Sequence, residues 1–162
     1  MPRHITPASQ STQSSQVLRR FRVVFNAVRT HFKQIEKQVG LGGAQVWALS
    51  VIREQPGIGM GELAKCMDVH QSTASNLVRA LQQKELIRMD KDANDKRHVH
   101  LYITPAALDL LARAPGPLEG VLPAALDVLN PQTLQRLDQD LAELIALLKA
   151  DETAGNIPLA QL

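Results

Sequence analysis

The sequence predicts a mainly α (α+β) fold in which helices flank one small β-hairpin. Three features point to it. Met60, Leu63, Ala64 and Met67 step by three and four residues, and beyond Asp68-Val69-His70 the same spacing resumes at Ala74, Leu77, Val78 and Leu81. After Leu86 the apolar period shortens to two, with Val99, Leu101 and Ile103 alternating against His98, His100 and Tyr102. On both sides of this centre, longer segments return to helical spacing. A short helix, a tight turn, a second helix and then a hairpin make a winged helix-turn-helix.

From the N-terminus, residues 1–15 are mostly Ser, Gln, Thr and Pro with little to bury, and are expected to form a disordered tail. Phe21, Val24, Phe25, Val28, Phe32, Ile35 and Val39 then recur at three- and four-residue steps. The spacing predicts a helix over residues 16–40 that stops at Gly40, which adopts a left-handed conformation without strain. A stripe this long with no sequence neighbour to cover it predicts packing across a subunit boundary, with Phe21 and Phe25 as dimerisation residues. Arg19, Arg20, Arg22, Arg29 and Lys33 occupy its other faces, as a solvated surface or near phosphates. After Gly42-Gly43, a second helix buries Val46, Leu49, Val51 and Ile52 with Trp47 as core, and Gln55-Pro56-Gly57 closes it.

The second helix of the central pair carries the chemistry. Its apolar stripe faces one way, which leaves Gln71, Ser72, Thr73, Ser75, Asn76 and Arg79 crowded on the remaining faces of the first turns. All are short or medium hydrogen-bonding side chains, suited to base edges in the major groove of B-DNA, which is wide enough for one helix. Leu86 to Asp90 is the partner strand of the hairpin, and Lys91 to Arg97 between the strands is rich in turn formers and charge. At its tip, Arg97 is placed to enter a narrow, electronegative minor groove, with Lys96, Lys91 and Arg88 near phosphates. An ordinary amphipathic helix with a solvated outer face would explain the helix pair alone; the adjoining wing is what favours a nucleic-acid reader.

After the wing, Thr104-Pro105 reads as a capped helix start followed by Leu108, Leu110 and Leu111, and Ala114-Pro115-Gly116-Pro117 must interrupt that helix. Leu118 to Leu129 is expected to continue helically, with a kink at Pro123. Asn130-Pro131 repeats the cap-proline start, and Leu134, Leu137, Leu141, Leu144 and Leu148 step by three, four, three and four. That is the seam of helices packed nearly parallel, and it predicts a homodimer. The expected organisation is thus a tail to residue 15, a dimerisation helix over 16–40, the winged domain over 41–104, dimerisation helices over 105–150 and a second tail over 151–162.

Composition sets bounds. Among 162 residues the formal net charge is only +2, so any affinity for nucleic acid must come from local clusters of Arg and Lys. Acidic residues gather near the C-terminus at Asp138, Asp140, Glu143, Asp151 and Glu152. One cysteine, Cys66, excludes an intrachain disulfide. No apolar run reaches the ~18 residues of a membrane helix, and no apolar core of a secretory signal opens the chain, so a cytoplasmic setting without membrane partners is expected. For catalysis there is no Gly-rich phosphate loop, Ser-centred elbow, Cys-x-x-Cys or His-Glu-x-x-His, so neither an enzyme nor a cofactor is expected. His98 and His100, with Cys66 or His70 nearby, would be the residues of a metal or redox sensor; a surface role is the simpler reading, and no metal is expected.

The residues resemble the MarR family of bacterial winged-helix transcription regulators. Glu62-Leu63-Ala64, Val69-His70-Gln71-Ser72-Thr73-Ala74-Ser75 with Leu77-Val78 and Leu81, and Asp95-Lys96-Arg97 followed by Leu101-Tyr102-Ile103-Thr104 carry the resemblance, which runs over roughly residues 17 to 150. It implies a homodimeric repressor on a double-stranded, pseudo-palindromic operator. It implies that Asp95 orients Arg97, or an arginine of the reading helix, through a charged pair. It also implies release by a small amphipathic or aromatic anion where the first helix, the Trp47 helix and the post-wing helix meet, with Phe25, Arg29 and Trp47 as its wall. The family's peroxide-sensing cysteine lies near the first helix, where this chain has none. Two rival functions remain open at this point: a winged helix that meets a protein, and a DNA binder without sequence choice.

Overall fold

The computed structural model describes residues 7–95 and 97–161. Helix α1 (Pro7–Val39) leads to α2 (Gly43–Glu54), α3 (Met60–Cys66) and α4 (Gln71–Gln83). Strands β1 (Ile87–Lys91) and β2 (Val99–Ile103) follow, then α5 (Pro105–Arg113), α6 (Val121–Asp127) and α7 (Pro131–Leu148). Two 3-10 turns, Glu152–Asn156 and Leu159–Gln161, end the described chain.

Helix α2 is the hub, packing against α1, α3, α4, α5, β2 and the last 3-10 turn. Its Val46, Ala48, Leu49, Val51 and Ile52 are buried, joined by Ile35 of α1, Leu63 of α3, Leu101 of β2 and Leu111 of α5. On α4 the buried residues are Ala74, Leu77, Val78 and Leu81, the four the helical spacing selects. Strands β1 and β2 pair antiparallel with Ile87 opposite Ile103 and Lys91 opposite Val99. A further bridge joins Ile58 to Leu101, through Leu101 N–H to the Ile58 carbonyl at 3.0 Å and Gly57 N–H to the Leu101 carbonyl at 2.8 Å. This bridge ties the wing to the end of α2, and Gly57 turns there at φ +85°, with the Tyr102 hydroxyl against its open side.

Both caps expected downstream are formed. Thr104 Oγ1 accepts from Ala107 N–H, and Asn130 Oδ1 accepts from Gln132 N–H at 2.9 Å, each ahead of a proline in the first turn.

The structure corrects four expectations. The N-terminal helix starts at Pro7, so residues 7–15 are helical; Pro7 suits a first turn and nothing between it and Val17 breaks a helix that is already propagating. Residues 1–6 of the expected tail lie outside the described residues. Within one chain the α1 stripe is buried only at Val28 and Ile35; Phe21, Phe32 and Val39 are half-buried and Phe25 is 61% exposed, which does not contradict packing across a subunit boundary. Trp47 is half-buried at the margin of the core.

Between Leu118 and Leu129 only Val121–Asp127 is α-helical, because Gly120 takes φ +111° and starts the helix afresh. Pro123 then falls in the first turn, where its missing N–H has no intrahelical partner to lose, so it does not act as a kink. Finally, residues 151–161 fold back: Asp151 Oδ1 accepts from Thr153 N–H at 2.9 Å, Pro158 is buried, and Ala160 packs on the core beside Phe32 and Gly43. A side chain at Gly43 would collide with the Phe32 ring, so the glycine there permits the close approach of α1 to α2.

Leu81 is fully buried between α4 and the hub. Leu81→Ala is expected to cost about 2–5 kcal/mol in urea denaturation followed by circular dichroism; an unshifted midpoint would show that α4 is not fixed by its stripe.

Candidate nucleic-acid interface

The turn between α3 and α4 is tight. Asp68 adopts φ +51°, Val69 N–H donates to the Ala64 carbonyl at 3.0 Å, and His70 enters α4 in an extended conformation with no side-chain cap bond. With the apolar stripe inward, Gln71, Ser72, Asn76 and Arg79 are exposed and Thr73 and Ser75 are half-buried. The structure therefore brings the six residues onto the free surface of α4, concentrated at its N-terminal end.

The wing tip is organised by two carboxylates. Asp92 Oδ1 accepts from the backbone N–H of Asn94 at 2.7 Å and of Asp95 at 3.3 Å, a local turn that short acidic side chains favour. Asp95 Oδ1 accepts from Arg97 backbone N–H at 3.0 Å and from Arg97 Nε at 3.1 Å, and Oδ2 from Arg97 Nη2 at 3.3 Å. This fork-on-fork pair leaves the Arg97 side chain 90% exposed yet held at its base. The Arg97 guanidinium, with the Arg97 backbone N–H next, holds the Asp95 carboxyl below the usual carboxylate range. The backbone N–H of Asn94, with the His100 ring next, does the same for Asp92.

A depression of about 370 Å³ opens between the start of α3, the start of α4 and the wing, and its lining includes Gln71 and Arg97. The head of α4 and the wing arginine thus border one opening. Lys91 is exposed at the end of β1. Arg88 is engaged within the wing, 2.9 Å from Asp90 Oδ2 and 5.0 Å over the Tyr102 ring. Lys96 lies outside the described residues.

The histidines do not converge. His98 stands just before β2 with Nδ1 3.2 Å from Asp95 Oδ2, whereas His100 faces Asp92 and the Gly57 carbonyl. His70 Nε2 lies 3.3 Å from Asn156 Nδ2, and exposed Cys66 accepts from Gln55 Nε2 at 3.5 Å. Among the described residues no group of three or more His, Cys, Asp or Glu has the geometry to hold a metal ion.

The three residues expected to wall an effector site are separated. Trp47 lines a cleft of about 450 Å³ with Val28, Met67, Leu122 and Leu126, while Phe25 and Arg29 line a second one of about 470 Å³ with Lys33 and Glu36. Val28, Phe32, Leu159 and Ala160 border both and partition them. The post-wing helix α5 lines neither; α6 and the folded-back C-terminal segment take that place, because the break at Gly120 swings the chain toward α1. Charge differs too: the titratable groups of the first cleft are Asp68, Glu119 and Asp127, whereas the second holds Arg29 and Lys33 beside Glu36. Sequence reasoning missed the contact between Asp92 and His100, which it read only as a candidate sensor residue, and the segment Asn156–Ala160. Only Asp92 had a local signal, its place in the turn-forming run Asp92-Ala93-Asn94-Asp95.

Helix-turn-helix, antiparallel wing and bridging strand residue together define a winged helix-turn-helix protein. Residues 44–99 match the model of the MarR family. A putative transcriptional regulatory protein for the hcr operon of Thauera aromatica is 33% identical over 87 residues, covering 54% of this chain; the chain spans about half the length of that curated relative, 52%. A MarR family transcriptional regulator from Streptomyces coelicolor, solved in complex with DNA, superposes with a TM-score of 0.58 at 24% identity, covering 98% of this chain and 97% of that one. MepR of S. aureus, also solved with DNA, gives 0.56 at 20% identity over 83% of this chain and 97% of that one. Over residues 44–99, from α2 to the start of β2, the chain is thus similar to the MarR family.

Because Asp95 holds Arg97 from three directions, Asp95→Ala should speed amide hydrogen exchange at Arg97 and His98 while leaving the global unfolding midpoint in place. Unchanged exchange there would mean that the pair does not order the tip.

Proposed function

We propose that this protein is a sequence-specific DNA-binding transcriptional regulator, a repressor acting as a homodimer on a pseudo-palindromic operator. One observation carries the reading: Gln71 at the head of α4 and Arg97 at the wing border the same opening, so one surface offers a helix to a major groove and an arginine to the adjoining minor groove. Gln71, Ser72, Thr73, Ser75, Asn76 and Arg79 read base edges, Arg97 enters the minor groove, and Lys91 and Lys96 meet phosphates. Arg88, already paired with Asp90, braces the wing. The DNA complexes of the Streptomyces and S. aureus proteins of the same fold support this placement.

The homodimer rests on what one chain leaves uncovered. Helix α7 has no buried residue over its 18 positions, although Leu134, Leu137, Leu141, Leu144 and Leu148 share a seam. Val17, Leu18, Val23 and Phe25 of α1 are likewise exposed. At roughly 2 kcal/mol per buried side chain, covering such faces on two chains outweighs the cost of association. Two copies related by a twofold axis then present their α4 helices about one helical turn of DNA apart. A small amphipathic or aromatic ligand that binds one dimer geometry better than the other releases the operator. An anionic one is served by the cleft of Phe25, Arg29 and Lys33.

Selection of bound fragments from random DNA at physiological salt tests the function, with enrichment of a twofold-symmetric site as the expected result. Binding without enrichment would favour an architectural role, and no binding would favour a protein partner. On the selected site, Asn76→Ala should cost ~1–3 kcal/mol at particular base pairs only, while Arg97→Ala should weaken all sequences and lower the salt slope by about one. Equal, sequence-blind losses from both substitutions would contradict the division of labour. Sedimentation at micromolar concentration should show dimer, and a well-folded monomer would remove the twofold site.

A further inference from the structure

His100 lies between two acceptors. Its Nδ1 is 3.0 Å from the Gly57 carbonyl, in the turn that follows α2, and its Nε2 is 3.4 Å from Asp92 Oδ2, in the wing loop. A carbonyl oxygen only accepts, so Nδ1 must carry hydrogen. Asp92 already receives two backbone N–H groups at its other oxygen, which keeps it ionised, so it too only accepts and Nε2 must carry hydrogen. Neutral imidazole has one N–H and satisfies one side. The doubly protonated ring satisfies both.

From this geometry we propose that His100, as an imidazolium, is the positioning residue that clamps the wing to the helical body and sets Arg97 for the groove, so that DNA binding weakens as His100 loses its proton. Gly57 anchors His100, His100 holds Asp92, Asp92 shapes the turn through Asn94 and Asp95, and Asp95 grips Arg97. The inference rests on the DNA-reading role of the wing for its consequence, though not for its chemistry.

The charged surroundings agree in sign. Asp90 sits directly opposite His100 in the strand register and is paired with Arg88; Asp92 faces it from the loop; the Tyr102 hydroxyl lies beside Gly57. Lys91, next to Asp90, is exposed, and His98 is turned to Asp95. The Gly57 carbonyl first, then Asp92, raise the His100 pKa above its ordinary 6.5, while Asp92 is lowered below 3.8. A raised histidine contributes fully below its unfolded value and loses the contribution as pH climbs through its folded value; a depressed aspartate contributes above its unfolded value and loses it as pH falls through the folded one. The clamp is therefore closed between the folded-state pKa of Asp92, below 3.8, and that of His100, above 6.5, and opens on the alkaline side.

The test has two arms on the full chain. Ring 15N shifts of His100 in the free protein should show both nitrogens protonated at pH 6.5 and a titration midpoint above 6.5; a neutral ring at that pH with an ordinary midpoint would overturn the proposal. Fluorescence anisotropy with a duplex obtained by selection should show affinity falling as pH rises through the His100 midpoint. His100→Gln should flatten that dependence and His98→Gln should retain it; the reverse pattern would overturn the clamp. Should His100→Gln fail to fold, Asp92→Asn, which keeps an acceptor for the loop N–H groups and removes the charge, should lower the ring midpoint, and an unmoved midpoint would count against the proposal. If no duplex binds at any pH, the DNA-reading function fails while the ring titration still decides the clamp.

Discussion

The structure depends on the burial of four residues on one helix. Ala74, Leu77, Val78 and Leu81 lock α4 against α2, α3 and β1, with Ala74 and Leu81 fully removed from solvent. Close-packed interiors tolerate little rotation of a helix about its own axis, because any turn drives apolar groups out and opens voids behind them. Once the stripe is seated, the direction of every polar side chain on α4 is set. The wing is referenced to the same core by Leu101, fully buried, and by the bridge to Ile58. Helix and hairpin therefore belong to one rigid head, and Gln71 and Arg97 keep a constant relation to each other.

The arms obey a different economy. Residues of α1 from Val28 to Ile35 are anchored on α2, but its N-terminal part projects with apolar side chains uncovered, and α7 buries nothing within one chain. Only after α7 does the chain come back, where Lys149 takes φ +51°, Asp151 caps a 3-10 turn and Pro158 is buried. This returning segment links the arms to the head: Asn156 reaches His70 at the entrance to α4, and Leu159 and Ala160 share the partition between two clefts with Phe32. The same segment thus touches both clefts and the entrance to α4.

What was legible in the sequence was what periodicity and local caps encode. The α4 stripe, the alternation of the wing strands and the caps at Thr104 and Asn130 all arise between residues within a few positions of one another, where spacing fixes geometry. What was not legible depends on distant partners. His100 meets a carbonyl 43 positions earlier and Asn156 a histidine 86 positions earlier, and neither side chain advertises its partner. Phe25, Arg29 and Trp47 are brought together only by the family resemblance, not by any spacing; the Phe32 ring borders both clefts and divides that space. Polar residues 7–15 looked like a tail because burial, not propensity, was the criterion, whereas a helix already nucleated needs no burial to extend.

The central claim is that α4 and the wing read neighbouring grooves as one rigid surface, twice per operator. A dimethyl sulfate footprint on a bound duplex tests it directly, since the reagent modifies guanine N7 in the major groove and adenine N3 in the minor groove. The account predicts two patches of guanine protection about ten base pairs apart, each flanked on its outer side by adenine protection in the minor groove that disappears in Arg97→Ala while the guanine patches persist. A single patch, or adenine protection indifferent to Arg97, would contradict it.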